Sequence, residues 1–276
     1  MMRLFSIFFF ALLLFTSPHV FAQDATTAAN EAIQRRDYAT AIQIVTPIAE
    51  KGDDQAAFYL SMIYGGAYGP EPTDTALALK WLTAAAERGM KEAQAELGDR
   101  YLDGLWVKQD FPTAAKWYRK SADQGYARAQ SLLGQMTELG KGMAPDPAEA
   151  LKLYLAAAAQ GHAVAQVDVG RVYARGVGVP QDAVMAVKYF RMAADQSNVS
   201  AEIWMSSAYE MGAGVKKDFT IAYMWTLIAQ KNADLKNPAT PLPTGFAVIL
   251  DNLGKQMSGA EIQLAHQMAD GWKPHQ

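Results

Sequence analysis

A fixed spacing of glycine is the feature that most constrains this chain. Gly52, Gly89, Gly125 and Gly161 follow one another at intervals of 37, 36 and 36 residues, and Ser197 stands at the next interval of 36. A constant period of this length indicates a repeat array rather than a domain built around one central core. Positions within a repeat are given below as offsets from this central residue, so that −8 means eight residues before it.

Apolar residues recur at fixed offsets on both sides of the central residue. Alanine stands at −11 and at +4 in all five repeats, and Leu, Val or Met stands at +8. Steps of three or four residues predict one amphipathic helix on each side, helix A before the centre and helix B after it. The central glycine suits the left-handed residue that ends helix A. Aspartates suit the N-caps of the next helices A, and they are Asp110, Asp146, Asp182 and Asp218.

A second glycine column lies inside helix B, at offset +9, and consists of Gly98, Gly134 and Gly170. A glycine within a helix costs about 0.5–1 kcal/mol relative to alanine. Three such glycines at one offset predict that another backbone approaches closely there. We expect this point to be the crossing of helices A and B.

At these residues the chain resembles the Sel1-like repeat family, a relative of the tetratricopeptide repeats. The second repeat carries the pattern through Ala78, Trp81, Ala85, Ala86, Gly89, Ala93, Leu97, Gly98, Tyr101, Gly104, Val107 and Asp110. The resemblance covers residues 37–231 and implies an all-α fold, an α-solenoid of stacked antiparallel helix pairs. It also implies use as a binding scaffold, often in bacterial envelope and signalling proteins.

The chain divides into four segments. Residues 1–22 indicate a secretory signal, because Arg3 precedes the apolar run Leu4–Phe15 and Val20–Ala22 supplies small residues for cleavage after Ala22. An uncleaved anchor is the alternative. Residues 23–36 form a lead-in, 37–231 hold five full repeats and a partial sixth, and 232–276 hold a Pro-rich loop and C-terminal capping helices. The mature protein is therefore predicted to be periplasmic or secreted.

Composition and motifs argue against several functional classes. The net charge is −3 and there is no cysteine, which argues against nucleic-acid binding and excludes thiol chemistry. Of the four histidines, no two share a metal-ligand spacing, and neither HExxH nor GxSxG occurs. We therefore predict no enzymatic activity, no catalytic residue, no metal and no cofactor.

One charged column and one aromatic residue are candidates for binding. Lysine recurs at offset −9, and we call this column the lysine row: Lys80, Lys116, Lys152 and Lys188. Arg119 and Arg191 follow two of these lysines by one helical turn. The row is either a solvated helix face or a basic surface for an acidic partner. Trp106 replaces the second glycine of an inter-repeat turn and is expected to be partly exposed, whereas the aromatic residues at −8 and −7 are expected in the core.

Together these features predict an exported, non-catalytic scaffold or adaptor that binds another protein. Its partner would be a membrane or envelope component, and its role that of a periplasmic regulator or assembly factor. A module that binds carbohydrate or peptidoglycan through Trp106 is the first alternative. A hydrolase is a second and is disfavoured, because no catalytic constellation is present.

Overall fold

The computed structural model describes residues 27–68, 73–236 and 245–273, and every regular element in these ranges is an α-helix. The predicted signal segment and its cleavage point lie outside the described residues. The helices are α1 (27–34), α2 (Tyr38–Glu50), α3 (Asp54–Tyr64), α4 (Thr75–Glu87), α5 (Lys91–Asp103), α6 (Phe111–Asp123), α7 (Ala127–Leu139), α8 (Pro147–Ala159), α9 (Ala163–Arg175), α10 (Ala183–Ala194), α11 (Val199–Met211), α12 (Phe219–Lys236), α13 (Gly245–Gly254) and α14 (Gly259–Gly271).

The chain forms two units, of which the first ends at Ala93 and the second begins at Gln94. In the first unit α3 packs against both α2 and α4. In the second unit each helix from α6 to α12 packs against the next along the chain. Even-numbered helices from α2 to α12 are helices A and odd-numbered helices from α3 to α11 are helices B. Helix B of one repeat therefore packs against helix A of the next repeat as well as against its own partner.

The ends of the helices follow from the predicted capping residues. The four aspartates accept hydrogen bonds from backbone N–H groups two or three residues later, at 2.9–3.1 Å. Such caps contribute about 1 kcal/mol each. The central residue has a left-handed backbone in every repeat, with φ of 98° at Gly52, 104° at Gly89, 79° at Gly125, 83° at Gly161 and 58° at Ser197. Both predictions about the helix ends are confirmed.

The glycine column at +9 lies against aromatic rings, and here the sequence prediction is wrong in one respect. A Cβ placed on Gly134 would lie 2.6 Å from Cε1 of Tyr154, and one on Gly170 would lie 2.5 Å from Cε1 of Phe190. The approaching group is therefore a side chain and not a backbone, and it comes from helix A of the next repeat. The missing Cβ leaves a slot that the ring fills.

The residues that fill these slots stand at −7, and they are fully buried. Tyr118 and Tyr154 are 0% exposed and Phe190 is 2% exposed. In the last pair a serine replaces glycine, and the Oγ of Ser206 hydrogen-bonds with Oγ1 of Thr226 at 2.8 Å. The interlock between consecutive repeats thus changes from a ring against a glycine to a pair of small hydroxyl side chains.

Side-chain amides provide a second link between consecutive repeats in the second unit. The side-chain amide of the residue at −1 donates to the side chain of the residue at +5 in the preceding helix B, at 2.6–2.9 Å. The pairs are Gln124 with Gln94, Gln160 with Gln130, Gln196 with Gln166, and Asn232 with Glu202. The two residues of each pair are 30 positions apart, so the repeat period itself brings the donor amide and its acceptor together.

The C-terminal helix α14 packs against α12. Its capping box is confirmed, since Ser258 N donates to Glu261 Oε2 at 2.7 Å and Glu261 N donates to Ser258 Oγ at 3.3 Å. The rings of Trp225 in α12 and Trp272 after α14 meet edge to face at 5.5 Å. Within the described residues, no helix combines the length and the apolar character needed to cross a lipid bilayer.

Candidate partner-binding surface

All four residues of the lysine row are exposed. Lys80 lies in the first unit, with its Nζ 5.1 Å from the ring of Trp81. In the second unit Lys188 Nζ lies 6.0 Å from the ring of Tyr189, and Lys152 Nζ lies 3.6 Å from Glu149 Oε2. The ammonium groups therefore stand at the protein surface, above partly buried aromatic rings or beside a carboxylate.

Lys116 lines an open groove of about 590 Å³ along α6. We call this feature the α6 groove. Its walls include the cations Lys116, Arg119 and Lys120, the ring of Trp117, and the loop after α7 at Met143. Lys120 Nζ lies 3.9 Å from the centroid of the Trp117 ring, a cation–π contact that contributes about 0.5–1 kcal/mol at an exposed site.

The local sequence explains why these cations share one side of α6. Asp110 caps the helix, and hydrogen bonds from the side chain and backbone of Thr113 lower the pKa of its carboxyl group. Ala114 and Tyr118 are buried against the neighbouring helices. Because a helix turns once in 3.6 residues, the cations at offsets −9, −6 and −5 face away from that buried side.

Arg119 and Arg191, the two arginines predicted to accompany the lysine row, have different surroundings. Arg119 Nη1 lies 3.3 Å from Oε1 of Glu149 in α8, the same carboxylate that Lys152 approaches. Arg191 Nε instead donates to Asp195 Oδ1 at 2.9 Å, and its guanidinium lies 5.1 Å from the ring of Trp225. Arg119 thus belongs to the α6 groove, whereas Arg191 contacts its own helix and the core tryptophan.

Trp106 has a left-handed backbone with φ of 68°. The equivalent positions in the following repeats are Gly142, Gly178 and Gly214, with φ of 77°, 73° and 73°. A non-glycine residue in this conformation costs about 1–2 kcal/mol. Trp106 is half-buried, in agreement with the expected partial exposure, and its ring lies 4.3 Å from the guanidinium carbon of Arg100. One face of the indole is therefore already covered.

A network of ionisable groups between α7, α8 and α9 was not predicted from the sequence. The guanidinium of Arg171 donates to both carboxylate oxygens of Glu138, at 2.6 and 2.5 Å, and also to Asp168 at 3.3 Å. Tyr154 Oη donates to Glu138 at 2.9 Å. The hydrogen bond from Arg171 lowers the pKa of Glu138, whereas burial raises those of Asp168 and Tyr154. The charges and hydrogen-bonding groups of the network are paired with one another, which indicates a structural role.

The equivalent space in the next repeat is an apolar pocket of about 300 Å³ between α9, α10 and α11. We call it the repeat-5 pocket. Phe190 and Trp204 form one wall, with their rings stacked at 5.2 Å and an interplanar angle of 3°. Ala174 and Ser207 also line it. The sequence signal for this pocket is that the residues at offsets +7, +10 and +13 are uncharged here and charged one period earlier. These offsets lie on two successive helices B, so their proximity can be recognised only from the packing of adjacent repeats.

Among the described residues, no group of three or more Asp, Glu or His side chains is placed to hold a metal ion. His162 acts as a helix cap, because its Nδ1 accepts from Ala165 N at 3.2 Å. Burial lowers the pKa of this imidazole. It therefore has a local structural role at the start of α9.

Comparison with solved structures supports the fold. A protective antigen of uropathogenic Escherichia coli strains, described as displaying an SLR fold, superposes with a TM-score of 0.78 at 26% identity, over 91% of this chain and 54% of that one. This chain thus spans about half the length of the antigen. A Sel1 repeat protein from Oxalobacter formigenes superposes with a TM-score of 0.74 at 27% identity, over 92% of this chain and 99% of that one. The predicted all-α solenoid of stacked helix pairs is confirmed.

No curated protein sequence has significant similarity to this chain. The family model of the Sel1 repeat matches five consecutive segments: 54–90, 91–126, 127–162, 163–198 and 199–229. Each segment begins at a helix B and ends with the following helix A. Sel1 repeats are generally non-catalytic scaffolds for protein–protein interaction. Because these matches cover more than half of its length, the chain belongs to the Sel1 repeat family.

Proposed function

We propose that this protein is an exported scaffold that binds an acidic surface of another protein and catalyses no reaction. It acts in the cell envelope as an adaptor, a regulator or an assembly factor. The observation that carries the proposal is the α6 groove, where Lys116, Arg119 and Lys120 surround the ring of Trp117. A cationic surface around a half-buried aromatic residue suits a partner with carboxylates next to apolar groups.

The charge of the groove is local. The chain as a whole carries a formal charge of −3, so an acidic partner gains nothing from the net charge. Neither Lys116 nor Lys120 forms a salt bridge with a residue that the structure describes. Their charges are therefore available to a partner, and they act mainly on the rate of encounter, because an exposed ion pair contributes only about 0–1 kcal/mol.

Export rests on the N-terminal sequence. Arg3, the apolar run Leu4–Phe15 and the small residues ending at Ala22 support a cleavable secretory signal and a periplasmic or secreted mature protein. Cell fractionation followed by N-terminal sequencing tests this point. We expect a soluble mature chain that begins at Gln23, and an intact N-terminus in the membrane fraction would favour the anchored alternative.

Affinity capture from envelope extracts tests the proposed function. The mature wild-type chain is compared with the double variant Lys116→Glu/Lys120→Glu. The matched control is Lys216→Glu/Lys255→Glu, which makes the same change in net charge at exposed sites outside the groove. We expect a stoichiometric acidic protein that the wild type and the control retain and the groove variant loses in 0.1 M salt.

Two results would contradict the proposal. Equal retention of the partner by the groove variant would exclude the α6 groove as the binding surface. Retention of the chain on purified peptidoglycan, without any stoichiometric protein, would favour the carbohydrate-binding alternative, and Trp106→Ala would then be the variant to examine.

A further inference from the structure

The repeat-5 pocket exists because three charged side chains around the space between α7, α8 and α9 have uncharged counterparts one period later, around the space between α9, α10 and α11. Glu138, Asp168 and Arg171 stand at offsets +13, +7 and +10, counted from Gly125 for Glu138 and from Gly161 for the other two. One period later the same offsets hold Ala174, Trp204 and Ser207. The network occupies the space in repeat 4, whereas about 300 Å³ remains open in repeat 5.

The aromatic residue at −7 also becomes less polar from one space to the next. Tyr154 donates its hydroxyl to Glu138, and its counterpart Phe190 has no hydroxyl to satisfy. Phe190 stacks on Trp204 instead. Three of the differences remove a charged group and the fourth removes a hydroxyl, so the pocket is uncharged at every position where the equivalent space is charged. Coordinated loss of polar groups around an open space is the arrangement of an apolar binding site.

The size and the rim of the pocket restrict what it can bind. A volume of about 300 Å³ is at the lower end of the range for binding sites, which suits one side chain and not a folded element. Met211 lines the pocket and is 65% exposed, and a flexible thioether adapts to an incoming apolar group. Of the described residues that line the pocket, Arg175 alone carries a formal charge.

We propose that the repeat-5 pocket binds one aromatic or large aliphatic side chain of a partner polypeptide, next to a carboxylate that pairs with Arg175. The inference deepens the proposed function, since it takes the ligand to be a protein segment. The apolar side chain contacts Phe190, Trp204 and Met211. The carboxylate complements the one cation on the rim, in agreement with an acidic partner.

A small probe tests the pocket without knowledge of the partner. N-acetyl-L-phenylalanine, which carries both an aromatic ring and a carboxylate, is titrated into the isotope-labelled mature chain and followed by NMR. We expect saturable shifts confined to α9, α10 and α11, with a dissociation constant on the order of 1 mM. N-acetyl-L-phenylalaninamide lacks the carboxylate and should bind about three- to fivefold more weakly.

Two pairs of variants locate the binding. Ala174→Leu fills the pocket and should weaken binding at least tenfold, while Ala156→Leu, at an exposed position of α8, should leave it unchanged. Both replace alanine with another good helix former. If Ala174→Leu does not fold, Ser207→Leu fills the same space from α11. Arg175→Gln should make the acid and the amide bind equally.

Two kinds of result would contradict binding of a partner side chain in the repeat-5 pocket. Equal shifts in the wild type and in Ala174→Leu, or no saturation, would show that the ring does not enter the pocket. Probe-free, concentration-dependent shifts of the same amides with a dimer in sedimentation would mean that a second copy fills it. This test involves no residue of the α6 groove and no captured partner, so the pocket and the groove can fail independently.

Discussion

Repeats 4 and 5 place the same backbone and the same glycine slot around two different interiors. In repeat 4 the space between α7, α8 and α9 is closed by Glu138, Arg171 and Asp168. One period later the equivalent space between α9, α10 and α11 is lined mainly by apolar side chains and stays open. The repeat pattern of alanine, glycine and aromatic residues therefore determines how helices stack, while the offsets +7, +10 and +13 are free to change the chemistry between them.

At offset −7 the presence or absence of a ring hydroxyl follows the presence or absence of a carboxylate that can accept its hydrogen bond. Tyr118 and Tyr154 each donate to a carboxylate, Asp99 at 2.6 Å and Glu138 at 2.9 Å. These acceptors stand at offsets +10 and +13 of the preceding helix B, and facing Phe190 the same two offsets hold Arg171 and Ala174. A buried hydroxyl without a partner is costly, so the absence of the hydroxyl accompanies the absence of its acceptor.

The largest expected effect comes from filling the glycine slots. Gly134→Leu should lower the free energy of unfolding by about 3 kcal/mol, because even a Cβ overlaps the ring of Tyr154, which is held in place by the network. Gly170→Leu should cost about 1 kcal/mol less, since the displaced Phe190 ring can move into the adjacent pocket. Urea unfolding of both variants measures the difference. If both variants lost the same free energy of unfolding, the open pocket beside Phe190 would not relieve the overlap, and the two spaces would not differ in this respect.

A smaller effect should follow from breaking the network. Arg171→Met leaves Glu138 and Asp168 without their cation, and we expect a loss of about 2 kcal/mol in the free energy of unfolding. Ser207→Ala changes the equivalent position of repeat 5 and should stay within about 0.5 kcal/mol of wild type. Urea midpoints at pH 7 check both. A loss below about 0.5 kcal/mol for Arg171→Met would show that the network does not stabilise repeat 4.

The pH dependence of stability should also separate the repeats. Arg171 lowers the pKa of Glu138, so this group contributes stability above its unfolded pKa of about 4.3, which is lost as the pH falls through the folded value. The raised pKa of Asp168 acts in the opposite direction, because its charged form is disfavoured in the folded state. Glu138→Gln should therefore reduce the loss of stability on acidification from pH 6 to pH 3.

The control for that experiment is Ala174→Gln, which introduces the same amide at the same offset of repeat 5. It removes no carboxylate, so its acid dependence should equal that of the wild type. If both variants showed the wild-type acid dependence, Glu138 would not be a group that links stability to pH. Thermal unfolding at a series of pH values provides the measurement.

The smallest effect is expected on the outer face of helix A. Lys152 has a side chain that is 76% exposed, with a single carboxylate nearby. Lys152→Ala should therefore change the free energy of unfolding by no more than about 0.5 kcal/mol. Comparison with Gly134→Leu by urea unfolding checks the assignment of helix faces, and equal midpoints for the two variants would contradict it.

Much of the fold could be predicted because its determinants are local. Asp146 before α8 and Gly161 after it follow from capping rules that need only neighbouring residues. The partner of Gly134 could not be identified in this way, because Tyr154 belongs to the next repeat. The pairing of Glu138 with Arg171 likewise joins residues 33 positions apart, and spacing alone does not distinguish a contact within a repeat from one between repeats.

The candidate surface was predicted only in part. The exposed lysines follow from their distance to the buried alanine column, since helical periodicity places offsets −11 and −9 on different sides. The α6 groove also depends on Lys120 and on the loop at Met143, which do not recur with the period. Arg191 has the same offset as Arg119, yet Arg191 pairs with Asp195 whereas Arg119 pairs with Glu149 of α8. Asp123 stands at the offset of Asp195, so the sequence pattern alone does not distinguish the two arginines.

The most direct test of the proposed function is the rate at which the captured partner associates with the α6 groove. The mature wild-type chain and Lys116→Glu/Lys120→Glu are compared by stopped-flow mixing from 0.02 to 0.5 M salt. If the groove steers an acidic surface, the variant associates at least tenfold more slowly at low salt. The two rates then converge as the screening length falls below about 10 Å, and dissociation changes little. Equal association rates at low salt would show that the lysines only solvate the helix face, and would contradict the account.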